Sequence, residues 1–443
     1  MRKMAVIGAG VTGVTTARAL MARGFDVTVF DRHRYAAMET SFANGGQLSA
    51  SNAEVWNQTG TILKGIKWMF QRDAPLLMNP LADISWHKYS WMAEFLGQIP
   101  NYRSNTIDTV KLAIAARSLL LQHAETYNFD FNPEHRGILH FYSDEKEFAH
   151  AKEVSKLYAE GGLERHTVTP EEVVKIEPAL AAGKDSYVGG CFTPSDFTGD
   201  IHRYTIGLAD GIAKEGVQFK LGTGVERLVH HGQEMTGPRG YDYGVSVELE
   251  DGSSESFDGV VVCAGVQSRE LASQLGDRVN IYPVKGYSIT VNLKDEESQA
   301  AAPWVSLLDD KAKIVTSRLG KDRFRIAGTA EFNGYNRDIR QDRIDPLIKW
   351  CNTHFPGVST KECVPWAGLR PMMPTMLPRV GAGQKAGVFY NTGHGHLGWT
   401  LSAATAEMVG DAAEQTREDG YTGPLYSFAV NAGIWSGHAG YAS

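Results

Sequence analysis

The chain has 443 residues, more than one ordinary core organises, so two domains, or one domain with large insertions, are expected. It is 42% hydrophobic and 21% charged, a globular composition, and its formal charge of −7 gives no basic field to draw nucleic acid. The four cysteines, Cys191, Cys263, Cys351 and Cys363, form no CxxC pair, which argues against a disulfide framework or a structural zinc site; no metal is expected.

The first apolar run, Lys3 to Ile7, starts close to Met1, so no leader peptide is expected, and no run of about 18 apolar residues follows. A cytoplasmic chain, soluble or peripheral to the inner membrane, is the expectation. After the run come Gly8-Ala9-Gly10-Val11-Thr12-Gly13, a helix-forming stretch from Val14 to Arg23, and a β-rich run from Asp26 to Asp31. This is a complete dinucleotide-binding βαβ unit. Gly8 permits the tight turn, Gly10 lets the backbone approach a pyrophosphate, and Gly13 lets the helix pack close. Asp31, about 20 residues on, suits a ribose hydroxyl.

Residues 106 to 128 read as an amphipathic helix with Leu112, Ala115, Leu119 and Ala124 on one face. A strand is expected at 137–142 and a helix at 145–160, then a helix start with Thr169 as N-cap and Pro170 in the first turn. From Val217 the pattern turns to strands: 217–221, 224–229 and 244–249, with a hairpin turn at Asp251-Gly252. Gly259 to Gly265 reads as a buried parallel strand ending in Ala264-Gly265. Near the end come a strand at 388–390, the loop Asn391 to His396 and a helix from about Leu397 to Gln415.

NAD and FAD share the βαβ unit. Three further features favour FAD: the polar, glycine-rich run Glu39 to Gln47, the late strand into the same site, and the 391–396 loop opening onto a helix whose N-terminus suits a flavin's N1–C2=O edge.

Glu39-Thr40-Ser41-Phe42-Ala43-Asn44-Gly45-Gly46-Gln47, Gly65 to Phe70, Thr198-Gly199-Asp200, Tyr282-Pro283-Val284-Lys285-Gly286-Tyr287-Ser288, Gly368-Leu369-Arg370-Pro371-Met372 and Asn391-Thr392-Gly393-His394-Gly395 with Leu397-Gly398-Trp399-Thr400 lie almost end to end along the chain. In that order they resemble the flavin (small) subunit of bacterial D-amino acid dehydrogenases, within the superfamily of D-amino acid, glycine and sarcosine oxidases. The resemblance implies an α/β (α+β overall) fold: a Rossmann-like FAD domain, discontinuous in sequence, with a β-rich substrate domain. The expected division is 1–85, 170–275 and 370–420 for FAD, 86–169 and 276–369 for substrate, and 421–443 as a tail.

The implied activity is oxidative deamination of a D-amino acid to a 2-oxo acid and ammonia, with hydride leaving Cα for flavin N5 and electrons passing to a quinone or other acceptor. Non-covalent FAD is expected, since no Cys or His sits in a covalent-flavin motif. Its implied contacts are Gly8, Gly10, Val11, Thr12, Gly13, Asp31 and Arg32; Thr40, Ser41, Asn44, Gly45, Gly46 and Gln47; Val225, Ala264 and Gly265; and Gly393, Gly395, His396, Leu397 and Gly398. Arg370 matches the arginine that holds the substrate carboxylate, a task for which a bidentate guanidinium is suited. Tyr287 and Tyr335 are candidates to bond substrate or line its pocket, and His394 to lie beside the flavin. Lys313 is a weaker candidate for a place over it. A glycine- or sarcosine-type oxidase using oxygen, or a partner-dependent flavin subunit, are the alternatives. The stretch Met373 to Leu377 departs from the family pattern near the expected flavin. The segment from Gly65 to Pro80, with Lys67, Trp68 and Arg72, offers an interfacial membrane patch.

Overall fold

The computed structural model describes residues 2–60, 76–78, 85–234 and 242–419. The residues 65–75, 79 and 80 of the expected membrane patch, and the tail 421–443, lie outside the described residues.

Two sheets organise the molecule. The first has six strands in the order Arg379–Ala382, Val388–Thr392, Gly259–Val262, Lys3–Ile7, Asp26–Asp31, Gln218–Leu221, all parallel except the first. Continuous apolar runs such as Met4 to Ile7 and Val260 to Val262 are what a sheet covered on both faces requires. The helix Val11–Ala22 packs on it against the C-terminal helix Gly398–Asp419, and the ion pairs Arg18–Glu407 and Arg23–Glu407, both 2.8 Å, tie the two helices together.

The second sheet has nine strands. Eight run Cys363–Met372, Tyr282–Asn292, Arg323–Phe332, Ile314–Arg318, Ser306–Asp309, Ile138–Tyr142, Gly189–Thr193, His166–Val168, and Leu76–Met78 pairs with Arg323–Phe332. The expected hairpin at Asp251-Gly252 joins Asp242–Leu249 to Ser254–Phe257 in a small three-stranded sheet, with Gly252 at φ +84°. The capping box at Thr169 and Glu172 forms with Pro170 at the first turn.

Several elements cross the expected domain boundaries. The helix Tyr102–Thr126, expected with the substrate domain, buries Val110, Ala113, Ala116 and Leu120 in the core shared by the first and C-terminal helices. Its buried stripe is rotated from the expected one, with Ala115, Leu119 and Ala124 at the margin. The strands His166–Val168 and Gly189–Thr193 and the end of Cys363–Met372 carry the second sheet across the boundaries at 170 and 370, because strand pairing overrides sequence proximity.

Candidate active site

One continuous cavity of about 1070 Å³ runs between the two sheets, just above the usual ligand-pocket range. All the expected cofactor residues line it except Gly13. Gly13 lies beneath, where a Cβ would come within 1.8 Å of the Gly8 carbonyl oxygen, so it serves helix packing. Gly8 adopts φ +110°, and a Cβ there would lie 2.7 Å from the Cys263 carbonyl oxygen. The first helix starts at Gly10 with no side-chain cap and no acid in its first turn, so its positive end is open to a phosphate. Ser41 accepts from the Val11 amide at 3.0 Å and brings the 39–47 run across that helix end. Asp31 accepts from the amides of Ala9 (2.7 Å) and His33 (2.8 Å), which fixes its carboxylate at the edge of the cavity.

The 43–47 segment lies on the second sheet. Ser317 and Ser288 donate to the carbonyls of Gly45 (2.6 Å) and Ala43 (2.8 Å), and a Cβ on Gly45 would meet Val315 at 2.8 Å. Gln47 donates to Ser306 at 2.8 Å. Gly393 and Gly395 take φ of +79° and +59°, which only glycine adopts freely, and start the C-terminal helix. These features fit a dinucleotide with a long planar head: a close-approach turn, an anion-binding helix end, a ribose acceptor and a polar cradle.

Two rows of residues across the second sheet form the cavity floor. Pairing places His140, Leu308, Val315, Ala327, Ser288 and Trp366 in one row. The next row holds Tyr142, Asp310, Lys313, Thr329, Gly286 and Gly368, and all twelve residues line the cavity. At one end stands Arg370. Its guanidinium donates to the Thr329 carbonyl at 3.1 Å, and burial lowers its pKa to about 10. No carboxylate lies within ion-pair distance of it among the described residues. A Cβ on Gly286 would lie 2.2 Å from this guanidinium, so the glycine makes the space it occupies.

Of the other expected catalytic residues, Tyr287 and His394 line the cavity and Tyr335 does not. The Tyr287 hydroxyl donates to Glu331 at 2.7 Å, and Tyr287 packs with Ile289 and Val291 on the face opposite Gly286 and Ser288. Burial, then the Glu331 carboxylate, holds that hydroxyl protonated well above the usual range, and its tip is spent on a buried network with Lys285 and Arg340. Alternation along the strand is the reason: the side chains of 285 and 287 turn to the opposite face from those of 286 and 288, and Tyr287 still borders the cavity while Lys285 does not. Tyr335 is 46% exposed and does not line the cavity. His394 is buried, bonded through Nε2 to Thr405 at 2.9 Å, and burial lowers its pKa to about 3, so it is a neutral ring anchoring the glycine loop to the helix. His396 stacks on Trp56, and burial lowers its pKa to about 4. Lys313 pairs with Asp310. Residues 373–377 do not line the cavity: Met373 packs under Gly393, and Met376 joins a cluster with Trp91 and Tyr282.

Sequence reasoning did not single out Gly286, Trp366, Ser51, Asn52, Trp56 or Arg165 as site residues, and all line the cavity. Gly286 sits inside a quoted motif, and its bare Cα was the available signal. Strand pairing brings in Trp366, while Ser51 and Asn52, in a short helical turn, and Trp56 and Arg165, in loops, carry no motif that marks them.

A dinucleotide sheet, a cavity beneath it and an uncompensated arginine at one end define a dinucleotide-dependent oxidoreductase scaffold. The family model described as "FAD dependent oxidoreductase" (DAO) matches residues 3–412, and the chain belongs to that family. FAD is accordingly its cofactor. It is similar to D-amino acid dehydrogenase 3 of Mesorhizobium japonicum, 58% identical over 92% of this chain and 96% of the relative. D-amino acid dehydrogenase of Dechloromonas aromatica is 39% identical over 92% and 96%. The solved glycine oxidase of Geobacillus kaustophilus shares the fold, with a TM-score of 0.71 at 19% identity over 98% of each chain.

Proposed function

We propose that the chain oxidises a D-amino acid to the 2-oxo acid and ammonia, with electrons leaving to a quinone or a similar acceptor. The observation that carries the reading is Arg370: a guanidinium aimed into the cavity with no carboxylate within ion-pair distance among the described residues. Two relatives named D-amino acid dehydrogenase, alike over nine-tenths of this chain, support the substrate class.

Arg370 takes the α-carboxylate, and the Thr329 carbonyl holds the guanidinium in place from the other side. Burial of the site and the Arg370 charge both disfavour the ammonium form of the substrate, so the reactive amine is neutral. His140, His394 and His396 are held neutral by burial, so none adds a competing positive charge. FAD, bound non-covalently, supplies the hydride acceptor. The floor residues Thr329, Gly286 and Gly368 present little side-chain bulk beside Arg370, which leaves space for the amino acid.

The expected division into FAD and substrate domains is kept in amended form: the six-stranded sheet with its helices holds FAD, and the nine-stranded sheet carries the substrate clamp. The reading places the protein in the cytoplasm at the inner membrane; among the described residues no helix is long and apolar enough to cross a membrane. The test is anaerobic titration of the yellow holoprotein with D- and L-amino acids. Bleaching by D-amino acids alone supports the reading, and bleaching by neither removes it. Peroxide formed in step with turnover in air would make it an oxidase instead.

A further inference from the structure

The cavity continues past the space a substrate on Arg370 can fill. Four strand-to-strand steps separate Gly286 from Tyr142 along the second floor row, about 19 Å at the spacing of paired strands. A single amino acid, even with a long side chain, spans roughly half of that. The far arm runs under the helix Glu145–Glu160 and reaches the surface at Asp144, Lys146 and His150, which are exposed and line its rim.

Arg165 stands in this arm. Its Nη1 and Nη2 reach only the hydroxyls of Ser155 and Tyr142, both at 3.3 Å, its guanidinium lies 5.3 Å from the centre of the Tyr158 ring, and its buried Nε has no partner. No carboxylate lies within ion-pair distance among the described residues. Of the acids lining this arm, Asp310 is paired with Lys313 and Glu54 with His150 at 2.9 Å and Tyr102 at 2.7 Å, while Asp144 and Glu147 stand at and just inside its rim and neither is within ion-pair distance of Arg165. A structural arginine in the same fold looks different. Arg318 donates to the four carbonyls of Gly320, Ala302, Gln299 and Lys321 and stacks on Trp304. A half-buried guanidinium whose Nε is buried and whose only bonds go to two neutral hydroxyls is short of an anion.

We propose that Arg165, with Tyr142, is a second carboxylate-binding station, on the passage by which the amino acid enters and the 2-oxo acid leaves. The ligand class is the small carboxylate that substrate and product share. A polar, charged rim of Asp144, Lys146, Glu147 and His150 does not suit the apolar tail of a membrane quinone, and Lys146 is the cation there for an entering carboxylate. The inference rests on the carboxylate role of Arg370 only for the direction of travel; the second station stands on its own residues.

The test uses the FAD-loaded full-length protein and acetate as probe, with binding counted by equilibrium dialysis and the Arg370 site followed by the flavin difference spectrum. Two acetates per FAD are expected, one perturbing the flavin. Arg165→Met is expected to bind one, with the flavin perturbation intact, and to raise the inhibition constant of the 2-oxo acid at least threefold. If Arg165→Met does not retain FAD, Tyr142→Phe serves, with weaker binding of the silent acetate and an unchanged spectrum. One acetate in the unmodified protein, or two at unchanged affinity in the Arg165 variant or its Tyr142→Phe substitute, overturns the proposal. So does a silent site that takes inorganic phosphate and excludes acetate. Arg370→Ala separates the two readings: loss of the flavin perturbation is expected there, and its survival would refute the Arg370 assignment while leaving the silent acetate bound.

Discussion

Gly286→Ala tests the active-site reading with one methyl group. A Cβ at this position lies 2.2 Å from Arg370 Nη1 and 2.3 Å from both Cζ and Nη2, against about 3.4 Å for ordinary contact, so the guanidinium must move by about 1.2 Å. The obstacle is the end of a flexible side chain and the backbone φ of Gly286 is not positive, so the fold accommodates the change at a cost of roughly 1 kcal/mol. The carboxylate clamp does not accommodate it. Displacing a charge-assisted pair by 1 Å removes roughly 3 kcal/mol of binding, about a hundredfold in kcat/KM. The assay is steady-state oxidation of D-alanine with an artificial dye acceptor, alongside FAD content and the melting temperature. The decisive arm is the double variant: in the Arg370→Ala background, Gly286→Ala has nothing left to displace and is expected to cost less than twofold. Equal losses in both backgrounds, or none in either, would refute the geometry.

Arg370→Ala is expected to raise KM for D-amino acids strongly while FAD stays bound, and Arg370→Lys to recover little, since a point charge does not reproduce a bidentate fork; unchanged kinetics removes the residue from the site. Gly13→Ala is expected to lower stability by about 1–3 kcal/mol or more and to release FAD, because its Cβ meets backbone 1.8 Å away; a normally yellow, normally stable variant contradicts the packing role. His123 and His394 are buried and neutral with pKa lowered to about 3 by burial, well below their unfolded value. The unfolded chain therefore takes up protons that the native state refuses below about pH 6.5, and stability falls as pH falls, by roughly 3 kcal/mol per pH unit for the two together. Urea midpoints at pH 7 and 5.5 measure this, and a flat profile sinks it.

Local chemistry made the dinucleotide half legible. The glycines at 8, 10 and 13 and the acid at 31 are close in sequence because their task is local, and 39–47 follows directly. Helix and strand positions followed from periodicity, with small shifts at the ends. In the substrate half Arg370, Tyr287 and His394 were found and line the cavity, but the directions of their side chains were not legible. Tyr287 shows why: its motif was found, but which face of the strand it occupies depends on pairing with Arg323–Phe332, including a register shift between Lys285 and Tyr287. His394 likewise sits in the right loop, yet its ring is turned to Thr405 on the following helix. Arg165 has no motif around it, and it enters the cavity because the loop after the helix Glu145–Glu160 leads into the strand His166–Val168, which pairs with Gly189–Thr193.

The strand Tyr282–Asn292 carries two incompatible jobs on alternate residues: Gly286 and Ser288 turn to the cavity, while Lys285 and the Tyr287 hydroxyl join a buried ionic network. A slip or single-residue deletion there would not weaken the enzyme gradually. It would turn a lysine and a tyrosine into the ligand space and push a glycine and a serine into the interior. Change in this strand is therefore confined to substitution of the residues that face the cavity, whereas changes in strand length are closed to it.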